Sequence, residues 1–262
     1  MRYMFAVGLV AVTVAWTIPD RVDAATFTPV DLSEVANFNL QARNSLYPTG
    51  TFQTRFAVPF EIVDSPNNLV NNAWGSGDGR RGAGGNDGQW KARLPIDADG
   101  VETIYTLANT DWGTHGLKRF SVTGEFSNGK DVIWTYENGK NLRQWSLFPV
   151  WSTEINGTNT REVFRVDAPL PRFDNVPDVL DMQALEVPRE FRGTTLEALV
   201  FADTRNTFVH SAFVAGVTLS DISSVFGESI SGTVVPLPAA APLLATAVGG
   251  LALYARRRRK AA

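Results

Sequence analysis

Two short stretches carry the side chains with the most chemistry. Asp111-Trp112-Gly113-Thr114-His115 sets a carboxylate, an indole and an imidazole within five residues, and residues 138–145 hold Asn138, Asn141, Arg143, Gln144 and Trp145. An indole face stacks on the C–H face of a sugar ring, while planar amide, carboxylate and guanidinium groups hydrogen-bond its hydroxyls. Asp111, Trp112, His115, Asn138, Asn141, Arg143 and Trp145 are therefore the candidate ligand-binding residues, on condition that both stretches meet at one end of the fold. The competing reading of Trp112 and Trp145 is structural, as plugs closing the end of an apolar core.

Catalytic chemistry is harder to assemble. The chain has two histidines, His115 and His210, and no cysteine, which excludes histidine-rich metal centres, thiolate sites, cysteine nucleophiles and disulfides. His210, Ser211 and Asp203 offer the residue types of a nucleophile triad, but neighbouring residues in a strand face opposite sides. Glu61, Asp64, Asp111 and Glu125 offer carboxylates for glycoside hydrolysis, in a body so rich in acids that such pairs carry little meaning. No catalytic residue is assigned. Asp97-Ala98-Asp99-Gly100 and Asn86-Asp87-Gly88 present the oxygen ligands that calcium takes, yet neither has the full spacing of a calcium loop. No cofactor or metal ligand is expected, and calcium is the single ion the sequence leaves open.

The elements that must position these residues are strands. Phe56, Val58, Phe60 and Ile62 alternate with Glu61, and Pro59, which cannot donate to a ladder, makes that strand an edge or a bulge. Val101, Thr103, Tyr105 and Leu107 line one side of another. Phe120, Val122 and Phe126 alternate with polar residues, then Asn128-Gly129 leads to Val132, Trp134 and Tyr136, which predicts a two-residue type I′ hairpin. Further strands are expected over 162–166, 196–202 and 213–219, and a short helix over 178–185. Residues 75–88 hold seven glycines and read as a mobile loop. Seven to nine strands without long alternating helices predict an all-β, antiparallel sandwich or jelly roll.

The two ends differ from this middle. Arg2, an apolar stretch over 4–18 and Val22-Asp23-Ala24 read as a secretory signal peptide, residues 1–24, its helix removed after Ala24. At the other end Val235-Pro236-Leu237-Pro238-Ala239 leads into an apolar segment that runs to Ala255, 17 residues counted from Ala239. That is the lower edge of what spans a bilayer. Arg256, Arg257, Arg258, Arg259 and Lys260 follow and stay cytoplasmic by the positive-inside rule. Between the ends, residues 25–235 carry 17 Lys and Arg against 25 Asp and Glu, a net charge of −8. A body that acidic repels polyanions, so nucleic acid is not an expected partner. The expected organisation is a signal peptide, a β-sandwich domain over 25–222, a linker over 223–234 and a tail over 235–262.

Proline motif, short apolar helix and terminal arginine cluster occur in the order of the PEP-CTERM sorting signals, and this tail resembles their VPLPA variant. The resemblance covers about 28 residues. It implies recognition and cutting by an intramembrane exosortase, a Gram-negative host that makes exopolysaccharide, and release of the body to the cell surface or extracellular matrix. The middle has a looser likeness. Val30-Asp31-Leu32, Val58-Pro59-Phe60, residues 107–113, Asn128-Gly129-Lys130, Asn138-Gly139-Lys140-Asn141 ahead of Trp145, and Val217-Thr218-Leu219 follow in an order that resembles galactose-binding-domain-like jelly rolls, in particular NPCBM-like modules. That likeness implies carbohydrate binding in part of the family and a structural role in the rest. A non-catalytic exported protein with a role in exopolysaccharide binding is the expected function; the alternative is a small secreted glycan-active enzyme, such as a glycoside hydrolase or lyase.

Overall fold

In the segment Phe120–Phe126 every second side chain is buried and the others are half-covered, the signature of a strand with one face on a core. The computed structural model, which describes residues 25–42, 45–64, 70–76, 89–111, 113–147, 152–167, 176–204 and 211–236, extends that pattern into an all-β body. The strands are β1 (Phe27–Val30), β2 (Gly50–Gln53), β3 (Pro59–Ile62), β4 (Trp74–Gly75), β5 (Gln89–Ala98), β6 (Thr103–Asp111), β7 (Phe120–Phe126) and β8 (Lys130–Thr135). They continue with β9 (Thr160–Asp167), β10 (Pro177–Glu186), β11 (Leu196–Thr204), β12 (Ser211–Ser220), β13 (Ile230–Ser231) and β14 (Thr233–Pro236). The expected signal helix over 1–24, the apolar segment after Ala239, the glycine-rich residues 77–88, Trp112 and His210 lie outside the described residues.

Five strands form one antiparallel sheet in the order β14-β8-β7-β11-β5. A seven-stranded sheet runs β1-β12-β6-β10-β13, with β4 beside β12 and β9 beside β10; only the two-residue β10–β13 pair is parallel. Between the sheets lies a core of Phe120, Val122, Phe126, Val132, Trp134, Leu199 and Phe201 against Ile104, Ala108, Leu185, Val214 and Val217. Each such aromatic or branched side chain contributes roughly 1.5–3 kcal/mol on burial. A second core lies on the opposite face of the seven-stranded sheet. There Tyr105, Leu107, Leu180, Met182 and Phe213 are covered by Val58, Phe60 and Ile62 of the small β2–β3 hairpin, with Leu40, Tyr47 and Trp145 beside them.

Several expectations hold and others are corrected. Val58, Phe60 and Ile62 share a buried face while Glu61 is exposed, and Pro59 opens a strand whose one ladder partner is β2. Val101 belongs to the core between the sheets, whereas Tyr105 and Leu107 belong to the second core. Residues 178–185 are not a helix but the interior of β10, paired with β6 on one side and β9 on the other. Leu, Met, Gln and Ala favour a helix in isolation, but a place between two strands overrides that preference. The β7–β8 connection is not a two-residue turn: Phe126 pairs with Lys130, leaving Ser127, Asn128 and Gly129 as a three-residue loop. Gly129 alone takes a left-handed φ, 72°, and its N–H donates to the Phe126 carbonyl at 3.0 Å. This is a turn closed by a glycine bulge. Residues 223–234, expected as a linker, lie on the body: Phe226 packs edge-on to Tyr105 and Phe56, and Ile230 enters the core between the sheets.

Candidate functional site

The strands β6 and β10 pair from Thr103 to Leu107 of the former and then part. Residues 143–147 enter the gap. The Thr110 N–H donates to the Arg143 carbonyl at 2.9 Å and the Trp145 N–H to the Thr110 carbonyl at 3.0 Å. On the other side the Val179 N–H donates to the Trp145 carbonyl at 2.8 Å and the Leu147 N–H to the Pro177 carbonyl at 3.0 Å. The loop thus serves as a short filler strand, which satisfies backbone groups that the splayed strands would otherwise leave unpaired. This insertion brings the two chemistry-bearing stretches to one end of the molecule.

Asp111 ends β6, and its Oδ1 accepts the indole N–H of Trp145 at 3.2 Å and the Gln144 side-chain amide at 3.3 Å. Trp145 is 8% exposed, tilted against Tyr47 with ring centroids 6.5 Å apart. Phe38, Tyr47, Asp111, Trp145 and Phe213 line a cleft whose cavity is about 10 Å³. That is room for about one water molecule. A sugar ring therefore reaches the Trp145 face only if a neighbouring side chain moves, and in this conformation Trp145 acts as a plug.

Arg143 turns away from the cleft, into the sheet. At 5% exposure it makes a bidentate pair with Asp181, Nε to Oδ2 and Nη2 to Oδ1, both 2.7 Å. Its Nη2 also donates to Glu162 at 2.7 Å, and Arg165 holds Glu162 from the far side at 2.8 and 2.9 Å. Asn109 completes the cluster, donating to Asp181 Oδ2 at 2.7 Å and accepting the Asp181 N–H at 3.0 Å. The four charges alternate and sum to zero. Burial pushes the Asp181 carboxyl above its usual range, against the opposing hydrogen bond and charge of Arg143. The hydrogen bond from Arg165, with help from Arg143, holds Glu162 below its usual range.

The remaining predicted residues form a neighbouring turn. Asn141 Oδ1 accepts the Glu137 N–H at 2.6 Å, while the Glu137 carbonyl takes the N–H groups of Lys140, Asn141 and Leu142, so Asn141 clips a tight turn. Gly139 in that turn has φ 83°, and a Cβ there would run into the His115 imidazole. His115 itself is exposed. Asn138 is wholly buried; its backbone pairs with Leu117 and Gly116, and its side-chain amide makes no hydrogen bond among the described residues. Trp112 lies outside the described residues.

The two stretches singled out in the sequence do meet, but their side chains serve other ends than expected. Asp111 and Trp145 meet directly, Arg143 serves a buried ion pair, and Asn138, Asn141 and His115 shape the adjacent turn. Asp181, Glu162, Asn109 and Tyr47 were missed. An acid inside Val179-Leu180-Asp181-Met182 was the one signal that a buried cation waited nearby. Among the described residues no group of three or more His, Asp or Glu is placed to hold a metal ion. No protein-family model, curated protein or solved structure matches this chain.

Proposed function

We propose that the chain is an exported, non-catalytic protein of the cell surface or extracellular matrix of a Gram-negative bacterium. It is held briefly by its VPLPA-type tail, released by an exosortase, and contacts exopolysaccharide through the end of a jelly-roll body of the galactose-binding-domain-like kind. The observation that supports the glycan contact is the Asp111–Trp145 hydrogen bond at the floor of an aromatic cleft. A carboxylate that fixes an indole edge while Phe38, Tyr47 and Phe213 surround it is a composition suited to a sugar, with a C–H face to stack and hydroxyls to accept.

The test is gel retardation of the mature exported protein by the host's own exopolysaccharide, run beside thermal melts. Tyr47→Ala and Asp111→Asn are expected to lose retardation. Retention of full retardation by both variants, with both still folded, would remove the site. Turnover of exopolysaccharide fragments by the purified protein would replace the non-catalytic reading with that of a secreted glycan-active enzyme.

A further inference from the structure

The last described strand contains the start of the proposed sorting motif. In β14, Thr233 pairs with Ile133 of β8, Val234 with Val132, Val235 with Asp131 and Pro236 with Lys130. Val235 and Pro236 are therefore at once motif residues and the edge of the five-stranded sheet. The chain arrives there firmly anchored. Ile230, 6% exposed, sits in the core between the sheets, and β13 pairs with β10 of the seven-stranded sheet. At Gly232 the backbone comes so close to β8 that a Cβ would meet Val132 and lie 2.8 Å from Trp134 Nε1. Residues 230–236 thus cross from the edge of one sheet to the edge of the other and strap the side of the sandwich.

This placement conflicts with cleavage. A protease takes its substrate as an extended segment, and backbone groups already paired to β8 are closed to it. Three residues, Leu237, Pro238 and Ala239, separate Pro236 from Ala240 in the apolar segment. Fully extended, three residues reach only about 10 Å, so an intramembrane enzyme would meet the folded body before it met Val235. We infer that β14 is a latch: recognition of the motif requires that Val235 and Pro236 first peel from β8, so the stability of this edge strand controls processing. The inference rests on the reading of the tail as a sorting signal and adds to it a control exerted by the folded body.

The absence of native cysteine makes the latch directly testable. Residues opposite one another in an antiparallel pair have Cα atoms within the range a disulfide needs. Val235→Cys with Asp131→Cys, in the full chain expressed in its host, staples β14 at the motif; Thr233→Cys with Ile133→Cys staples it upstream and leaves the motif unaltered. Thr233→Cys alone controls for the substitution, and the reduced Val235→Cys chain reads any effect on recognition itself. Immunoblots of precursor and product should show loss of processing in the oxidised Thr233–Ile133 stapled chain, restored by a membrane-permeant reductant, with Thr233→Cys alone processed like wild type. Normal processing of both stapled chains while oxidised would overturn the latch and leave the sorting reading standing. An unprocessed wild-type chain, its arginine-rich end still on the exported protein, would overturn both. Failure of both cysteine pairs to cross-link would overturn the docking of β14 itself.

Discussion

The two faces of β6 solve burial in different ways. Ile104 and Ala108 face the five-stranded sheet, where Phe120, Trp134 and Phe201 make a dry core. Thr106, on the same face, bonds the Tyr136 hydroxyl at 2.8 Å and the Gln183 side chain at 3.0 Å. Tyr105 and Leu107 face the other way, into the second core, and along the same face come Asn109 and Asp111, which are buried although polar. One face relies on area removed from water. The other relies on area at one end of the strand and on a fully partnered polar cluster at the other, where Arg143, Asp181 and Asn109 meet. The lesson is about tolerance: an apolar face loses stability in proportion to what is removed, whereas a charged cluster fails when one member is lost and survives when members leave together.

The largest effect should come from the dry face. Trp134 is wholly buried and donates its indole N–H to the Glu186 carbonyl at 2.9 Å, tying β8 to the far sheet. Trp134→Ala is expected to cost about 3–5 kcal/mol by urea denaturation, chiefly from the cavity left in the core. A cost under about 1 kcal/mol would mean that the two sheets do not share the core drawn here.

On the polar face the single variant and the combined one should disagree. Arg143→Met leaves Asp181 buried with Asn109 as its remaining side-chain hydrogen-bond donor among the described residues, and is expected to cost about 3 kcal/mol. Arg143→Met combined with Asp181→Leu should recover most of that loss, since two buried charges have gone with their desolvation. Equal costs for the single and the double variant would show that the pair contributes through shape alone and would erase the contrast between the faces.

The cluster also has a pH signature. Glu162 has a folded-state pKa below its unfolded value, so its contribution is present above the unfolded pKa and is lost as pH falls through the folded one. Asp181 is raised, and its sign is opposite: what it contributes is present below its unfolded pKa and is lost as pH rises through the folded value. Glu162→Gln should therefore be less stable than wild type at neutral pH. The difference should close as the solution is acidified below the ordinary carboxylate range of about 4. Urea midpoints measured across that range check it; a gap that stays constant with pH would remove Glu162 from the ion-pair network.

How much of this could be read from the residues depended on whether a strand keeps a wet side. β7 was legible because Ser121, Thr123 and Glu125 stay partly in water while Phe120, Val122 and Phe126 do not. β10 was not, because both its faces are covered, its alternation vanishes, and Leu, Met, Gln and Ala imitate a helix. The meeting of the Asp111 and Trp145 loops was anticipated from their shared side-chain types. The burial of Arg143 was not, since its partner Asp181 lies 38 positions along the chain and no local pattern links them. The hairpin after β7 was found at the right residues with the wrong count: Asn128-Gly129 signals a turn, but Ser127 joins it through Thr195, whose carbonyl accepts the Ser127 N–H and whose N–H donates to the Ser127 hydroxyl.

The smallest effect separates the polar face from a sugar platform. Trp145→Phe keeps an aromatic ring beside Tyr47 but deletes the N–H that reaches Asp111, leaving that carboxylate with the Gln144 amide among its donors. Losing one hydrogen bond to a buried charged acceptor costs about 1.5–3 kcal/mol when nothing replaces it, and the Gln144 bond should hold the loss near the lower figure. A platform tryptophan in solvent would behave otherwise, because phenylalanine stacks on a sugar nearly as well and a wet indole edge supports nothing in the fold. A clear fall in melting temperature with retardation retained would place Trp145 among the groups that build the end of the second core, with Tyr47 and Asp111 left to make the contact. An unchanged melt would move Trp145 to the binding surface and make the outer face of β6 wetter, near Asp111, than its packing indicates.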